Sequence, residues 1–483
     1  MLLLMLSLLT SLGNYYNFAY TTYASEMSSG DNNPREDRPY APSGTLEGKY
    51  QNSSRPVIDD PNLKLELVSE GLQLPTQMAF IGRDDILVLE KDNGIVKRIV
   101  NGAILEEPAL DVNVATAFER GLVGIAIAEN ANETIQRNSN IVYLYYTESE
   151  QDATDVCSSS WNRSGSCSEE NGPLGNRLYR YELVDDKLVN PNLLLDLPAS
   201  PAASHNGGAM LIGSDSNIYL PIGELQYSDG QISNNDDGPP PDGRGGILRV
   251  TQQGEAVGTR VNGDDEDDED NGNENDEDSI DGILGDEDPL NKYYAYGIRN
   301  SYGIDFDPVT GKLWDTENGP DYGDEINLVE PGFNSGWSRV QGIWEREGSY
   351  GGPVAPDEPD DLVDFDGNGK YSSPEFIWNQ TVGVTSIKFL DSDKLGKDYQ
   401  NDMFVGDFNR GNLYHFDLSE DRSQLLLSGP LKDKIADNQD ELQNAILGHG
   451  FSTIADLEVG PDGYLYVLTY AGEIFRISNN NNT

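Results

Sequence analysis

From Leu63 onward the chain repeats one pattern: a turn with Asp or Gly, an alternating apolar and polar strand, a glycine-bearing turn, then a second strand. Gly82-Arg83-Asp84-Asp85 leads into ILVLEKDNGIVKRIV, and Gly460-Pro461-Asp462-Gly463 leads into YLYVLTYAGEIFRI. Further copies begin at Gly213-Ser214-Asp215, with NIYLPIG and then GGILRV, and at Asp307-Pro308, with TGKLWDTE; MFVGDF and NLYHFDL flank Asn409-Arg410-Gly411. Such units cannot cover their apolar faces alone, whereas blades in a ring cover each other and leave few open edges. The pattern therefore predicts an all-β chain, a six-bladed β-propeller of four-stranded units with long inserted loops over 63–478. A pair of β-sandwiches is the competing architecture and requires a linker near mid-chain. The only linker-like segment there, 263–288, is dominated by acidic residues that cannot pack, and reads as a surface insertion.

The ends differ from this body. Leu2 to Leu12 is an apolar stretch of signal-peptide length, although no Lys or Arg precedes it, and Thr22-Tyr23-Ala24 supplies small residues for cleavage. A signal peptide over 1–24 and a secreted or extracytoplasmic location follow. Residues 25–62 have no apolar period and read as a disordered linker, and 479–483 as a tail. No later apolar run is long enough to cross a bilayer, so no membrane span is expected in the mature chain.

Charge narrows the partners. The 483 residues include 32 Lys and Arg against 84 Asp and Glu, a formal charge of −52, which repels phosphate backbones and excludes a nucleic-acid partner. Cys157 and Cys167, without a histidine or a second pair nearby, do not make a zinc site; in an exported chain they close a small disulfide loop. Asn-x-Ser/Thr triplets stand at Asn52, Asn132, Asn162 and Asn379.

Histidine is scarce, so a base of near-neutral pKa has three candidates, His205, His415 and His449. His205 lies in Ser204-His205-Asn206-Gly207-Gly208 just before a strand, where glycines allow a ligand to approach the backbone; a turn histidine held by backbone fits equally well. His415 falls inside an alternating strand and reads as structural, and His449 as a loop residue. In 294–337, Arg299-Asn300 puts a cation and an amide at a rim. The Gly319-Pro320 turn follows Glu317 and Asn318 and precedes Asp321, Asp324 and Glu325, the crowd of carbonyl and carboxylate oxygens that Ca²⁺ prefers. Asp364, Asp366, Asn368, Lys370 and Glu375 also fit the spacing of a twelve-position calcium loop, without the helices that flank an EF-hand. A glycine-rich turn entering the strand SPEFIW is the alternative.

GLVGIAIA, SHNGGAMLIG, YAYGIRNSYGIDFDP, ENGPDYGDEINLVEPGFNSGW and VGPDGYLYVLT resemble the glucose/sorbosone dehydrogenase family, which includes soluble aldose sugar dehydrogenases dependent on pyrroloquinoline quinone (PQQ). The resemblance runs from about Leu63 to Ser478 and implies a propeller whose mouth holds PQQ and Ca²⁺. It implies His205 as the base that takes the proton of the anomeric hydroxyl, and Arg299 with Asn300 at the cofactor. Glu119 takes the place of a cofactor-contacting Gln or Glu. Gly319 and Pro320 carbonyls would bind the cofactor Ca²⁺, and Glu325 with the Ser335 carbonyl a further, structural Ca²⁺.

The chain departs from the family pattern in two places. Ser204 stands where glucose-specific members have an acid, so the imidazole must be oriented from elsewhere. The stretch Phe451-Ser452-Thr453-Ile454 carries none of the late basic residues that grip the PQQ carboxylates, and Arg410, with Asn409 beside it, is the expected substitute. The implied partners are an aldose sugar and an external electron acceptor. A non-catalytic propeller of the same descent, binding a carbohydrate or protein partner at its mouth, is the other function the chain permits.

Overall fold

The computed structural model describes residues 55–128, 141–151, 172–261, 279–346, 359 and 362–480. The expected signal peptide, Asn52, Asn132, Asn162, Cys157 and Cys167 lie outside them. The described residues contain strands and short 3-10 turns but no α-helix, in an all-β, propeller-like arrangement. Each hairpin read from the alternation forms: Asp85–Glu90 pairs with Ile95–Val100, Ile218–Ile222 with Gly246–Val250, Met403–Asp407 with Leu413–Phe416, and Leu465–Thr469 with Glu473–Asn479.

Six sheets have four or more strands. Among the described residues each holds one of the strands Pro75–Gly82, Leu122–Ala128, Leu211–Ile212, Ser301–Phe306, Val384–Phe389 and Ile454–Val459, and the sheets are taken in that order as the first to the sixth. The uniform four-stranded unit expected from the repeats needs correction. Only the second and sixth sheets have four strands, and the others gain short strands such as Ile435–Ala436, paired beside Phe376–Trp378. Those additions are two-residue backbone pairings, too short to leave an alternating pattern in the sequence.

Apolar side chains fill the space between neighbouring sheets. Leu87, Leu122 and Val142 join the first sheet to the second, Tyr143, Leu220 and Leu248 the second to the third, and Ile247, Ile304 and Leu313 the third to the fourth. Trp314, Trp378 and Val405 join the fourth to the fifth, Phe404, Leu457 and Val467 the fifth to the sixth, and Met78, Val88 and Leu468 the sixth back to the first. Each face of a sheet is thereby covered, which removes apolar area worth about 25 cal/mol per Å² from water. The strand Leu63–Glu70 closes the sixth sheet by pairing with Glu473–Asn479, so an early strand and the last strand of the described chain share one sheet.

Each of the six strands by which the sheets are ordered contributes to the wall of one cavity, bordered by Gln77, Val123, Leu211, Tyr302, Ser386 and Asp456, one from each. Polar bonds tie these strands together: Thr76 Oγ1 donates to Leu122 O (2.9 Å), Met78 N to Asp456 Oδ2 (2.9 Å), and Leu457 N to Ser386 Oγ (3.0 Å).

Two expected boundaries shift. Pairing begins at Val57–Ile58, against Gly448 and His449, so 57–62 belongs to the fold and not to a linker; Tyr399 Oη donates to Asp60 Oδ2 (2.6 Å) there. The signal was hidden because Val57 is 41% exposed and the pairing uses backbone alone. The acidic insertion ends earlier than expected: Thr259–Val261 pairs with Ser279–Asp281, and Leu284, 2% exposed, packs in the apolar cluster between the second and third sheets.

Candidate active site

The loops that lead into the cavity-lining strands of the second, third, fourth and fifth sheets come together. Glu119 precedes Leu122–Ala128, His205 precedes Leu211–Ile212, Arg299 and Asn300 precede Ser301–Phe306, and Val382-Gly383 precedes Val384–Phe389. This topology brings together residues up to about two hundred positions apart, as their contacts show. Glu119 Oε2 accepts from His205 N (2.7 Å), Asn206 N (3.3 Å) and Asn300 Nδ2 (3.2 Å).

His205 is buried and held at φ +62°, a left-handed conformation that side-chain-bearing residues rarely adopt. Its Nδ1 bonds to Oε1 of Glu224, itself 2% exposed, while Nε2 makes no hydrogen bond to the described residues. Glu224 answers the question left by Ser204: the acid that orients the imidazole follows the strand Ile218–Ile222. The sequence sign was Gly223-Glu224 directly after an apolar strand. Gly223 is required because a Cβ there would meet His205 O at 2.4 Å and Arg299 O at 2.8 Å.

Arg299 is positioned at both ends. Its N donates to Glu317 Oε1 (2.7 Å), its O accepts from Glu224 N (2.9 Å), and its Nη1 donates to the carbonyls of Asn318 (2.7 Å) and Gly319 (3.0 Å). Burial lowers the guanidinium pKa from its ordinary value, opposed by the carboxylates of Glu224, Glu119, Glu317 and Asp324. Arginine remains charged throughout, so the site keeps a fixed cation in an acidic surround. Arg299 Nε, Asn300 Oδ1 and Glu224 Oε2 are buried without a partner, polar atoms that a bound group would satisfy.

The Gly319-Pro320 turn is pinned by Asp324. Oδ1 of Asp324 accepts from Gly319 N (2.9 Å), and Oδ2 accepts from Val382 N and Gly383 N (both 2.7 Å), tying the fourth sheet to the fifth. A Cβ at Gly319 would sit 2.0 Å from Tyr322 O, so no other residue fits without moving the turn. Arg410 lies on a loop that joins this group through Phe408 N to Gly383 O (2.7 Å) and Asn409 N to Val382 O (3.0 Å).

Behind the turn lies a buried acidic group. Ser335 Oγ donates to Glu317 Oε2 (2.6 Å), and Glu325 Oε1 accepts from Gln341 Nε2 (2.8 Å) and from Gly342 N. Burial pushes Asp315 up to about 7 and Glu325 up to about 8, and raises Glu317 well above the carboxylate range, with Glu325 and Asp315 adding repulsion. Both oxygens of Asp315, Asn327 Oδ1 and Gln341 Oε1 have no partner. An oxygen-rich cluster of this kind, kept in part protonated by burial, suits a hard cation that would displace those protons. Glu317 links the two expected ligands: Ser335 bonds to one of its oxygens, and Glu325 lies opposite it on the neighbouring strand.

The twelve-position loop is not assembled as its spacing suggested. Asp364 O accepts from Gly369 N (2.7 Å), and Lys370 starts a short strand, but Glu375, expected at position twelve, pairs with Lys434 (2.8 Å). The cause is Pro374 and the strand Phe376–Trp378, which turn that carboxylate towards a neighbouring segment. His415 bonds to Asp402 (2.9 Å) and His449 lies 3.5 Å from Asp59, so neither joins the mouth.

A model of the family "Glucose / Sorbosone dehydrogenase" matches residues 72–476, the whole of this site included. The chain belongs to that family of sugar-dehydrogenase oxidoreductases. It is 24% identical to the aldose sugar dehydrogenase YliI of Escherichia coli over 87% of this chain and 94% of that one. Identity to an uncharacterised protein of Synechocystis is 26%, over 91% and 94%. The PQQ-bound aldose sugar dehydrogenase of Streptomyces coelicolor has a similar fold, with TM-score 0.55 at 20% identity over 88% of this chain and 99% of that one.

Proposed function

We propose that this family member is an exported dehydrogenase that oxidises aldoses at C1, with PQQ as hydride acceptor, Ca²⁺ at the Gly319-Pro320 turn, and an external electron acceptor. The six larger sheets are read as the six blades of one closed ring. The observation that carries the reading is the His205–Glu224 pair beside Arg299. By accepting from Nδ1–H, Glu224 fixes the tautomer in which Nε2 has a free lone pair. A carboxylate at Nδ1 also stabilises the imidazolium that forms when Nε2 takes the proton of the C1 hydroxyl. When bound, the quinone would supply the acceptor for the C1 hydride, so that the sugar, giving up that hydride and the hydroxyl proton, loses two electrons and two protons and becomes the lactone.

Arg299 would stabilise negative charge growing on an acceptor oxygen, and its place is fixed by backbone before any ligand arrives. Gly319 and Pro320 carbonyls would hold the cofactor Ca²⁺, each carbonyl oxygen having a second lone pair. Glu325 and the Ser335 carbonyl would hold a structural Ca²⁺; Asp364, Asp366 and Asn368 could hold another only without Glu375.

One observation favours a non-catalytic propeller that binds a carbohydrate or protein instead: Phe451 and Ile454 are 1% and 0% exposed where family members place cofactor-gripping cations. Adding PQQ and Ca²⁺ to the purified protein and following dye reduction by several aldoses separates the two. Turnover that needs both additions supports the dehydrogenase; no turnover from an intact fold supports the binding protein.

A further inference from the structure

PQQ is a tricarboxylate, and a chain of charge −52 must present local cations to hold it. Arg299 is occupied by the carbonyls of Asn318 and Gly319. A second guanidinium lies close by. Trp344–Glu345 pairs with Val340–Gln341, and this ribbon delivers Arg346 onto the face of Trp337, 4.0 Å from the ring centroid. Arg299 reaches the same indole at 5.4 Å. Trp337 is fixed in turn through its backbone N–H, which donates to Gly297 O (2.9 Å), and Arg346 N donates to Arg339 O (2.7 Å).

The Arg346 guanidinium is held by stacking and left short of partners. Its Nη1 donates a long bond to Ser338 O (3.4 Å), the Tyr322 hydroxyl is its other polar neighbour, and no carboxylate among the described residues forms an ion pair with it. The groups it feels are Tyr322, on the Gly319-Pro320 loop, and Glu224, the partner of His205. Burial lowers its pKa from the ordinary value, a penalty that an incoming anion would relieve. In a protein with far more acids than bases, a half-buried arginine that forms no ion pair with a carboxylate of the described residues, next to the proposed base pair, is placed for an anionic ligand.

We propose that Arg346, stacked on Trp337, receives a carboxylate of the quinone cofactor and replaces the late-chain cations that Phe451–Ile454 lack. This rests on the PQQ reading above. The guanidinium fork matches a carboxylate, and the indole face preorients its plane. Arg346 is thus a cofactor-positioning residue that the spacing of the sequence did not reveal.

The test is calorimetric titration of the cofactor-free protein, with Ca²⁺ present, using PQQ and its trimethyl ester as probes. Arg346→Gln should weaken PQQ by about 10- to 100-fold, as expected for a lost charge-assisted bond, and leave the ester within about twofold. Arg346→Lys should fall between, and the melting temperature of the cofactor-free protein should not change. PQQ affinity of Arg346→Gln within twofold of wild type, or an equal loss for acid and ester, overturns the assignment while leaving the PQQ reading intact. A wild-type protein that binds neither probe overturns both.

Discussion

Replacing Glu224 by Gln tests the base pair most sharply. Glu224 is 2% exposed, its Oε1 is bonded to His205 Nδ1, and its Oε2 has no partner, so the amide fits the same space. What is lost is the charge facing the imidazolium. A hydrogen bond to a charged group contributes about 1.5–3 kcal/mol, and about 1.36 kcal/mol is tenfold in rate, so kcat should fall about 10- to 150-fold. The loss belongs in kcat and not in KM, because Glu224 acts through His205 and the charge matters only as the proton arrives. Steady-state kinetics of the reconstituted enzyme over a range of aldose concentrations reads both parameters. A kcat within threefold of wild type, or a loss confined to KM, would refute the role given to Glu224.

Asp324→Ala should cost about 3 kcal/mol or more in urea unfolding, since it strands the N–H groups of Gly319, Val382 and Gly383; a loss under 1 kcal/mol would mean that water takes over those donors. Ca²⁺ should raise the melting temperature, and Glu325→Gln should remove most of that rise; an unchanged rise places the stabilising ion elsewhere. Burial raises the Asp407 carboxyl to about 6. The folded state therefore keeps a proton that the unfolded chain has released, and this contribution, up to about 3 kcal/mol, is full below about pH 4 and fades as pH rises to 6. Asp407→Asn should flatten that part of the stability profile, and an unaltered slope would contradict it.

The strands were legible because alternation repeats in hairpins such as Asp85–Val100 and Leu465–Asn479. Short additions such as Val57–Ile58 were not, because backbone pairing of two residues leaves no pattern. At the site, His205, Arg299, Asn300, Gly319 and Glu119 carry local signs, glycines and clustered polar residues, and the fold does bring them together. Glu224 carries only the weak sign of Gly223-Glu224 after an apolar strand, and Arg346 none, because what matters is the partner that the fold sets beside each, His205 in one case and Trp337 in the other. Glu375 shows the reverse failure: the right residue at the right spacing was turned away by a long-range ion pair with Lys434.

The most direct measurement follows reduction of the bound quinone in a single turnover by an aldose carrying deuterium at C1, for wild type and His205→Ala. Transfer of the C1 hydride with proton loss to His205 predicts reduction several-fold slower with the deuterated sugar, and slower still, by orders of magnitude, without the imidazole. Reduction that ignores both the deuterium and the loss of His205 would contradict it.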